Sequence, residues 1–283
     1  MLLRSRSRAS WWARRLRTAG NRASRLDEAS CGPSMNLKRA FGIVLAALSL
    51  AGCSGAPLPP TTSFGGPLPD AFAVHGIDVS KYQGTIDWGS VRDSGVQFAW
   101  IKATEGGADL DSRFHQNWNG AREAGVARGA YHFVYWCRSP MEQMRWFEQN
   151  VPNEPGMLPP VLDVELTPTS PTCKRTLYRE QTVREIRTML QEMERFYGRK
   201  PVIYATVDFY AGILAGGALN DFPIWVRSTK YHPNVRYPGR KWHFWQYQSD
   251  AHVAGIRGKV DRNAFFGSPD QFADFLQGID LPL

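Results

Sequence analysis

From Ala71 onward, short apolar runs alternate with longer amphipathic stretches, and no other feature restricts the chain so much. Runs of about four to eight residues bounded by Gly, Pro, Asn or Asp read as strands. Stretches with apolar residues every three or four positions read as helices. Strands that alternate with helices imply a mostly parallel sheet, because a parallel neighbour is reached only through a crossover long enough to hold a helix. The pattern predicts eight strands, at 73–79, 98–103, 129–135, 160–165, 202–206, 223–227, 243–248 and 259–261. Helices are predicted near 88–94, 112–124, 141–150, 177–197 and 208–214. Short connections among the last three strands leave no room for a full set of eight helices. The expectation is an α/β fold, a TIM-like barrel of eight strands with about five helices.

One strand carries the chemistry. Residues 158–165 read Leu-Pro-Pro-Val-Leu-Asp-Val-Glu, an apolar run opened by two prolines and closed by two carboxylates. Side chains alternate along a strand, so Val161, Asp163 and Glu165 share one face, and Leu162 and Val164 share the other. With helices over Leu162 and Val164, the acids point inward at the strand's C-terminal end, where α/β barrels hold their active sites. Their Cα atoms would be about 6–7 Å apart. Two partly desolvated carboxylates that close do not both ionise cheaply, so one keeps a proton near neutrality. Acid-assisted glycosidic cleavage needs such a pair. An Asp and a Glu capping the next loop is the alternative, and the strand alone leaves both open.

Several segments then read together: His75-Gly-Ile-Asp78-Val-Ser, Ile101-Lys-Ala-Thr-Glu105-Gly, Gly129-Ala-Tyr-His132-Phe, Val161-Leu-Asp163-Val-Glu165, Trp245-Gln-Tyr and Gly258-Lys-Val-Asp261-Arg-Asn263. In this order, each at a strand, they resemble the glycoside hydrolase family 25 lysozymes, the N-acetylmuramidases of bacteria, phages and fungi. The resemblance runs over residues 75–267. It implies a barrel with fewer helices than strands. It also implies cleavage of the β-1,4 bond between N-acetylmuramic acid and N-acetylglucosamine in peptidoglycan. By position, Asp78 matches the family's acid on the first strand, Asp163 and Glu165 its Asp-x-Glu pair, and Asp261 its acid on the last strand.

The expected roles follow. Glu165, the more distal of the pair, is the general acid, and Asp163 is the partner that raises its pKa, with orientation of the substrate's 2-acetamido group a second role open to it. Asp78 and Asp261 supply negative potential or hydrogen bonds beneath an oxocarbenium-like transition state, and nucleophile, base and bystander stay open among the aspartates. Tyr131, Tyr204, Trp225 and Gln246 are candidates to stack on or hydrogen-bond to sugar, with core packing as the alternative for each. Glu105 is expected to bond backbone beside the site, and His132 to be a satisfied core histidine. Arg227 stands where family members commonly have a small residue. Its partner is either an acid of the cluster or a substrate carboxylate, and the lactyl group of muramic acid is favoured. No His-Glu-x-x-His, Gly-rich phosphate loop or dinucleotide fingerprint occurs, so neither metal nor cofactor is expected. A wall-binding barrel without turnover and a hydrolase of chitin-like chains are the competing functions. Retention of all four acids argues against the first, and the Trp-Gln-Tyr and Val-Asp-x-Asn segments against the second.

Charge belongs to the N-terminus. The formal net charge is +8, which by itself suggests nucleic acid. Residues 1–34 hold eight Arg against Asp27 and Glu28, and Lys38 and Arg39 complete the excess. Everything after position 39 is neutral, so no nucleic-acid partner is expected. Met35 to Arg39 form a basic n-region, and thirteen apolar residues follow, from 40 to 52. That run is short for a membrane span and right for a signal peptide. Its end, Leu50-Ala51-Gly52-Cys53, resembles the bacterial lipobox, which implies a lipid on Cys53 and an anchor in the membrane of the cell envelope. Residues 1–34 then read as an over-extended start, with Met35 the initiator. The Pro-, Gly- and Ser-rich residues 54–70 read as a tether and 71–283 as the catalytic domain. Cys137 and Cys173 each follow a predicted strand at one rim, and in an exported protein they are expected to pair. Peptidoglycan is the expected partner, and no obligate protein partner is implied.

Overall fold

The computed structural model describes residues 64–279 and 281. Cys53, the basic leader, the apolar run and the first part of the tether lie outside the described residues. In chain order the elements are β1 (Val74–Val79), α1 (Trp88–Asp93), β2 (Phe98–Glu105), β3 (Asp109–Leu110), α2 (Phe114–Ala124), β4 (Ala127–Phe133), α3 (Pro140–Asn150) and β5 (Val161–Val164). There follow α4 (Arg179–Tyr197), β6 (Val202–Ala205), α5 (Val207–Phe209), a π-helical turn at Tyr210–Leu214, β7 (Ile224–Arg227), α6 (Pro233–Arg236), β8 (Phe244–Ala251), β9 (Val260–Phe265) and α7 (Pro269–Leu276). Every predicted strand and helix is present, and α6 and α7 bring the α-helices to seven among the described residues. The two additions are a four-residue helical turn in the crossover from β7 to β8 and a helix beyond the last strand.

The strands run β1-β2-β4-β5-β6-β7-β8-β9, and β9 returns to β1, closing a barrel of eight; β3 pairs only with β2, outside the ring. All neighbours are parallel except at β9, which runs antiparallel to both β8 and β1. A parallel crossover needs a dozen or more residues, whereas residues 252–259 make a direct hairpin into β9. The reversal has a consequence for chemistry. Asp261 is near the start of β9, yet it lies opposite Asp78 near the end of β1.

Alternation divides each strand between two cores. Ile77, Ile101, Ala130, Leu162, Val164, Ile203 and Val226 face outward under the helices. Facing inward, Val74, Phe98, Trp100, Val202, Trp225, Phe244 and Phe265 fill the barrel, and Phe272 and Phe275 of α7 close its lower end. Two inward positions are glycine because large rings need the room. A Cβ on Gly76 would come within 2.5 Å of the Phe98 ring, and one on Gly129 within 2.2 Å of Trp100.

Residues 64–70, which by composition read as part of a tether, pack on the barrel. Phe64 packs at 5.7 Å from the Trp245 ring, and its carbonyl accepts from the His232 N–H at 2.8 Å. A Cβ on Gly66 would meet the His232 ring at 2.5 Å. Residues 64–70 therefore lie against the barrel wall, drawn there by aromatic burial that a Pro/Gly count does not register.

Candidate active site

Inward alternation continues past the aromatic filling into a polar mouth. Above Gly76 comes Asp78, above Trp100 comes Lys102, above Val161 comes Asp163, above Trp225 comes Arg227, and above Phe244 comes Gln246. Running the other way, β9 contributes Asn263 and then Asp261. Four acids from three strands thus share one opening.

The floor is a hydrogen-bond network with one possible polarity. An indole N–H only donates, so Trp225 Nε1 fixes Asn263 Oδ1 as its acceptor at 2.8 Å. The Asn263 amide then donates to Asp78 Oδ2 at 2.8 Å. Tyr204 Oη donates to Gln246 Oε1 at 3.0 Å, which turns the Gln246 amide onto the same Asp78 oxygen at 2.9 Å. Both donors favour an ionised Asp78. Burial opposes them first and the charge of Asp261 second, and the result is an Asp78 carboxyl held well above the ordinary carboxylate range. Asp261 is raised as well, by burial, against the pull of Asp78 and Arg227. Burial also pushes the Tyr131 and Tyr204 phenols well up, so both remain O–H donors.

The Asp163–Glu165 pair is arranged differently. Asp163 is 7% exposed, and its Oδ1 has no hydrogen-bond partner among the described residues. Burial raises its pKa well above normal, with the Glu165 charge next and Lys102 pulling down. Glu165 lies one residue past β5 and is half-buried; burial raises it too, against Arg227 and Lys102. The sequence reading leaves Asp163 charged and the proton on Glu165; in the structure burial is the largest cause at both carboxyls and raises Asp163 the further of the two.

The rim behind Glu165 is stiffened. Trp136 Nε1 donates to the Glu165 carbonyl at 2.8 Å, and its ring stacks on Phe209 with centroids 5.5 Å apart.

 Arg175 Nη1 donates to the Trp136 carbonyl at 2.8 Å and pairs with Glu185 at 2.7 Å. Cys137 and Cys173, on the loops after β4 and β5, are joined by a disulfide with Cα atoms 5.7 Å apart. Both loops that flank Glu165 are therefore tied to each other and to α4.

The remaining candidates divide between the core and the mouth. Trp225 is 2% exposed, and Tyr204 and Gln246 are buried beside it, so these three are the floor of the site and offer no face for stacking on sugar. Tyr131 is only partly covered and stays at the mouth. Glu105 bonds no backbone; it pairs with Lys102 Nζ at 2.8 Å. His132 is fully buried between Thr104 Oγ1 (2.7 Å) and Gln143 Oε1 (3.1 Å), with its pKa lowered to about 4 by burial. Arg227 is half-buried at the end of β7, and its charge pulls down the pKa of both Glu165 and Asp261. Its guanidinium forms no ion pair among the described residues. Two residues at the mouth were given no role by the sequence reading, Asn263 and Lys102. Extending the inward alternation by one step on β2 and β9 finds both.

Known proteins share this arrangement of elements. The profile described as Glycosyl hydrolases family 25 matches residues 77–256. An uncharacterized Escherichia coli K12 protein, YegX, is 39% identical over 225 residues, covering 78% of this chain and 79% of its own. Lysozyme M1 of Streptomyces globisporus is 38% identical over 211 residues, 70% of either chain. Among solved structures, a family 25 glycosyl hydrolase from Bacillus anthracis superposes with a TM-score of 0.67 at 33% identity, over 74% of this chain and 95% of that one.

Proposed function

The chain belongs to family 25 of the glycosyl hydrolases and is a peptidoglycan muramidase, and from that premise we propose how its acids divide the reaction. Glu165 protonates the departing glycosidic oxygen. Asp163 holds the 2-acetamido group of the sugar whose anomeric carbon is attacked. Asp78 and Asp261 face the oxocarbenium-like transition state from the opposite wall.

The observation that carries this reading is the buried, unpartnered Oδ1 of Asp163 beside a half-exposed Glu165. An acetamido N–H donating to that oxygen favours an ionised Asp163. The new negative charge then raises Glu165, the group nearer to solvent and to the leaving oxygen. Substrate binding thus moves the stable position of the proton from Asp163 to Glu165. The acetamido carbonyl, turned toward the anomeric carbon by the same contact, is the internal nucleophile, as in other substrate-assisted glycosidases. Lys102 compensates the acids from one side and Arg227 from the other, and Arg227 has a guanidinium fork suited to the lactyl carboxylate of muramic acid.

Digestion of purified peptidoglycan, with mass analysis of the new reducing ends, tests the assignment. Muramic acid ends from wild type and almost none from Glu165→Gln are expected. Glucosamine ends, or a Glu165→Gln enzyme working above about a tenth of the wild-type rate, overturn it, since a general acid contributes typically ~10²–10⁴-fold.

Export and anchoring complete the proposal. Residues 35–53 direct the chain out of the cytoplasm, Cys53 receives lipid, and the barrel meets the wall from the cell envelope. The Cys137–Cys173 bond supports export, because disulfides persist in oxidising compartments. Intact mass of the protein extracted from membranes checks the anchor. An unmodified Cys53, or cleavage at another residue, leaves simple secretion in its place.

A further inference from the structure

Beside the mouth lies a second concavity of about 810 Å³, lined by residues of the loop after β1 and of the β8–β9 connection. One wall follows directly from Asp78 and carries Tyr82, Gln83 and Asp87; the other leads into Asp261 and carries Gly255 and Arg257. The groove therefore opens off the side of the active site that holds Asp78 and Asp261, across the mouth from Asp163 and Glu165.

The walls are fastened to each other. The Asp87 N–H donates to the Gly255 carbonyl at 2.9 Å, and Gln83 Nε2 donates to the Lys259 carbonyl at 3.2 Å. Gly255 has φ +87°, and a Cβ there would lie 2.3 Å from the Asp87 carbonyl oxygen, so no other residue permits this approach. A groove laced in this way needs little ordering before it binds.

Its charges are unevenly committed. The one lining carboxylate, Asp87, is occupied in capping α1: Oδ1 accepts from the Gly89 and Ser90 N–H groups at 3.1 and 3.2 Å, and Oδ2 from Ser90 Oγ at 2.6 Å. Arg257 is exposed, as are Lys81 and Lys259 at the groove's edges, and none of the three forms an ion pair among the described residues. Tyr82 stands over the opening at 81% exposure. Unpaired cations around a polar trough, with one amphipathic ring at the lip, fit an acidic peptide better than a neutral sugar.

We propose that this groove binds the peptide stem that hangs from muramic acid, with Arg257, Lys259 and Lys81 meeting its carboxylates and Tyr82 covering its backbone. The proposal rests on the muramidase reading and deepens it: the glycan crosses the mouth, while a stem leaves sideways between the two fastened loops. The enzyme then recognises a peptide-bearing strand at a place separate from the acids that cut it.

The test uses the full chain and two polymers, peptidoglycan with its stems and the same glycan strands after enzymatic removal of the peptides. Arg257→Glu should raise KM on the peptide-bearing polymer about fivefold or more, and Tyr82→Ala by a smaller factor. On stripped strands both variants should stay within about twofold of wild type. All substituted positions are exposed, so melting temperature is the control for folding. An equal loss on both polymers makes the groove a glycan subsite, and no loss on either removes it from binding; each overturns the proposal. Failure of the muramidase reading looks different, because wild type itself would then release no muramic acid ends from either polymer.

Discussion

The lower barrel and the mouth are built from the same strands, often two residues apart, and they obey opposite rules. Below, Phe98, Trp100, Phe244 and Phe265 are wholly buried, with neighbouring ring centroids 5.2 to 6.4 Å apart, and α7 seals the end with Phe272 and Phe275. Above, Asp78 and Asp163 are nearly as enclosed, yet burial drives both pKa values up and Asp163 keeps an oxygen with no partner among the described residues. The lower half gains free energy from what it buries, and the upper half loses some. One ring of strands thus holds a rigid plug beneath a set of acids that are uncomfortable until substrate arrives.

The sharpest way to separate the halves is Glu165→Gln. Turnover should fall by ~10²–10⁴-fold while the melting temperature stays at or above that of wild type, as checked by peptidoglycan digestion alongside calorimetry. Phe244→Ala is the converse. Removing a buried phenylalanine costs about 3–5 kcal/mol, so the midpoint of urea unfolding should drop sharply, while kcat per folded molecule at low temperature changes little. A fall in kcat matching the fall in Glu165→Gln would show that the plug and the acids are not separable.

Asp163→Asn should reveal the cost of the mouth directly. A carboxyl whose folded pKa is raised stabilises the fold fully below its unfolded pKa, about 3.9, and that contribution is lost as pH rises through the folded value. Asparagine cannot ionise. The variant should therefore melt a few degrees above wild type at pH 8, with the gap narrowing toward pH 4, although it is nearly inactive. A gap that widens toward acid would contradict the raised pKa. The smallest effect is expected at Arg227→Ala. KM on peptidoglycan should rise several-fold, with less change on glycans whose lactyl carboxylates are masked. Loss of the cation should also move the alkaline limb of the pH–rate profile upward, because Arg227 holds Glu165 and Asp261 down.

Period-two alternation made the upper half legible wherever it was followed far enough. It set Asp163 and Glu165 on one face and, together with the ordered motifs, assembled all four acids. Lys102 lay inside a predicted strand and Asn263 inside a quoted motif, yet neither was followed to the mouth. Strand direction left a weaker trace. The eight residues between β8 and β9 are too few for a parallel crossover, a shortness the sequence reading used to limit the helices but not to reverse the strand. Trp225 and Gln246 were harder, since an inward-facing side chain near a rim is floor or surface according to how far its neighbours rise, a property of three dimensions alone. Phe64 was masked by its company, as one aromatic among prolines and glycines does not look like an anchor until Trp245 is beside it.

The reversed last strand also orders events in time. Ribosomes deliver a chain from its N-terminus, and domains assemble as their parts emerge. β1 meets β9 across almost the whole domain, pairing Val74 with Phe265 and Asp78 with Asp261. A nascent chain therefore keeps an open seam, with one acid missing from its mouth and no α7 to stop its lower end, until the final segment is free. Ring closure and completion of the catalytic set are one late event. A product truncated before β9 is left without the seal and without the fourth acid together.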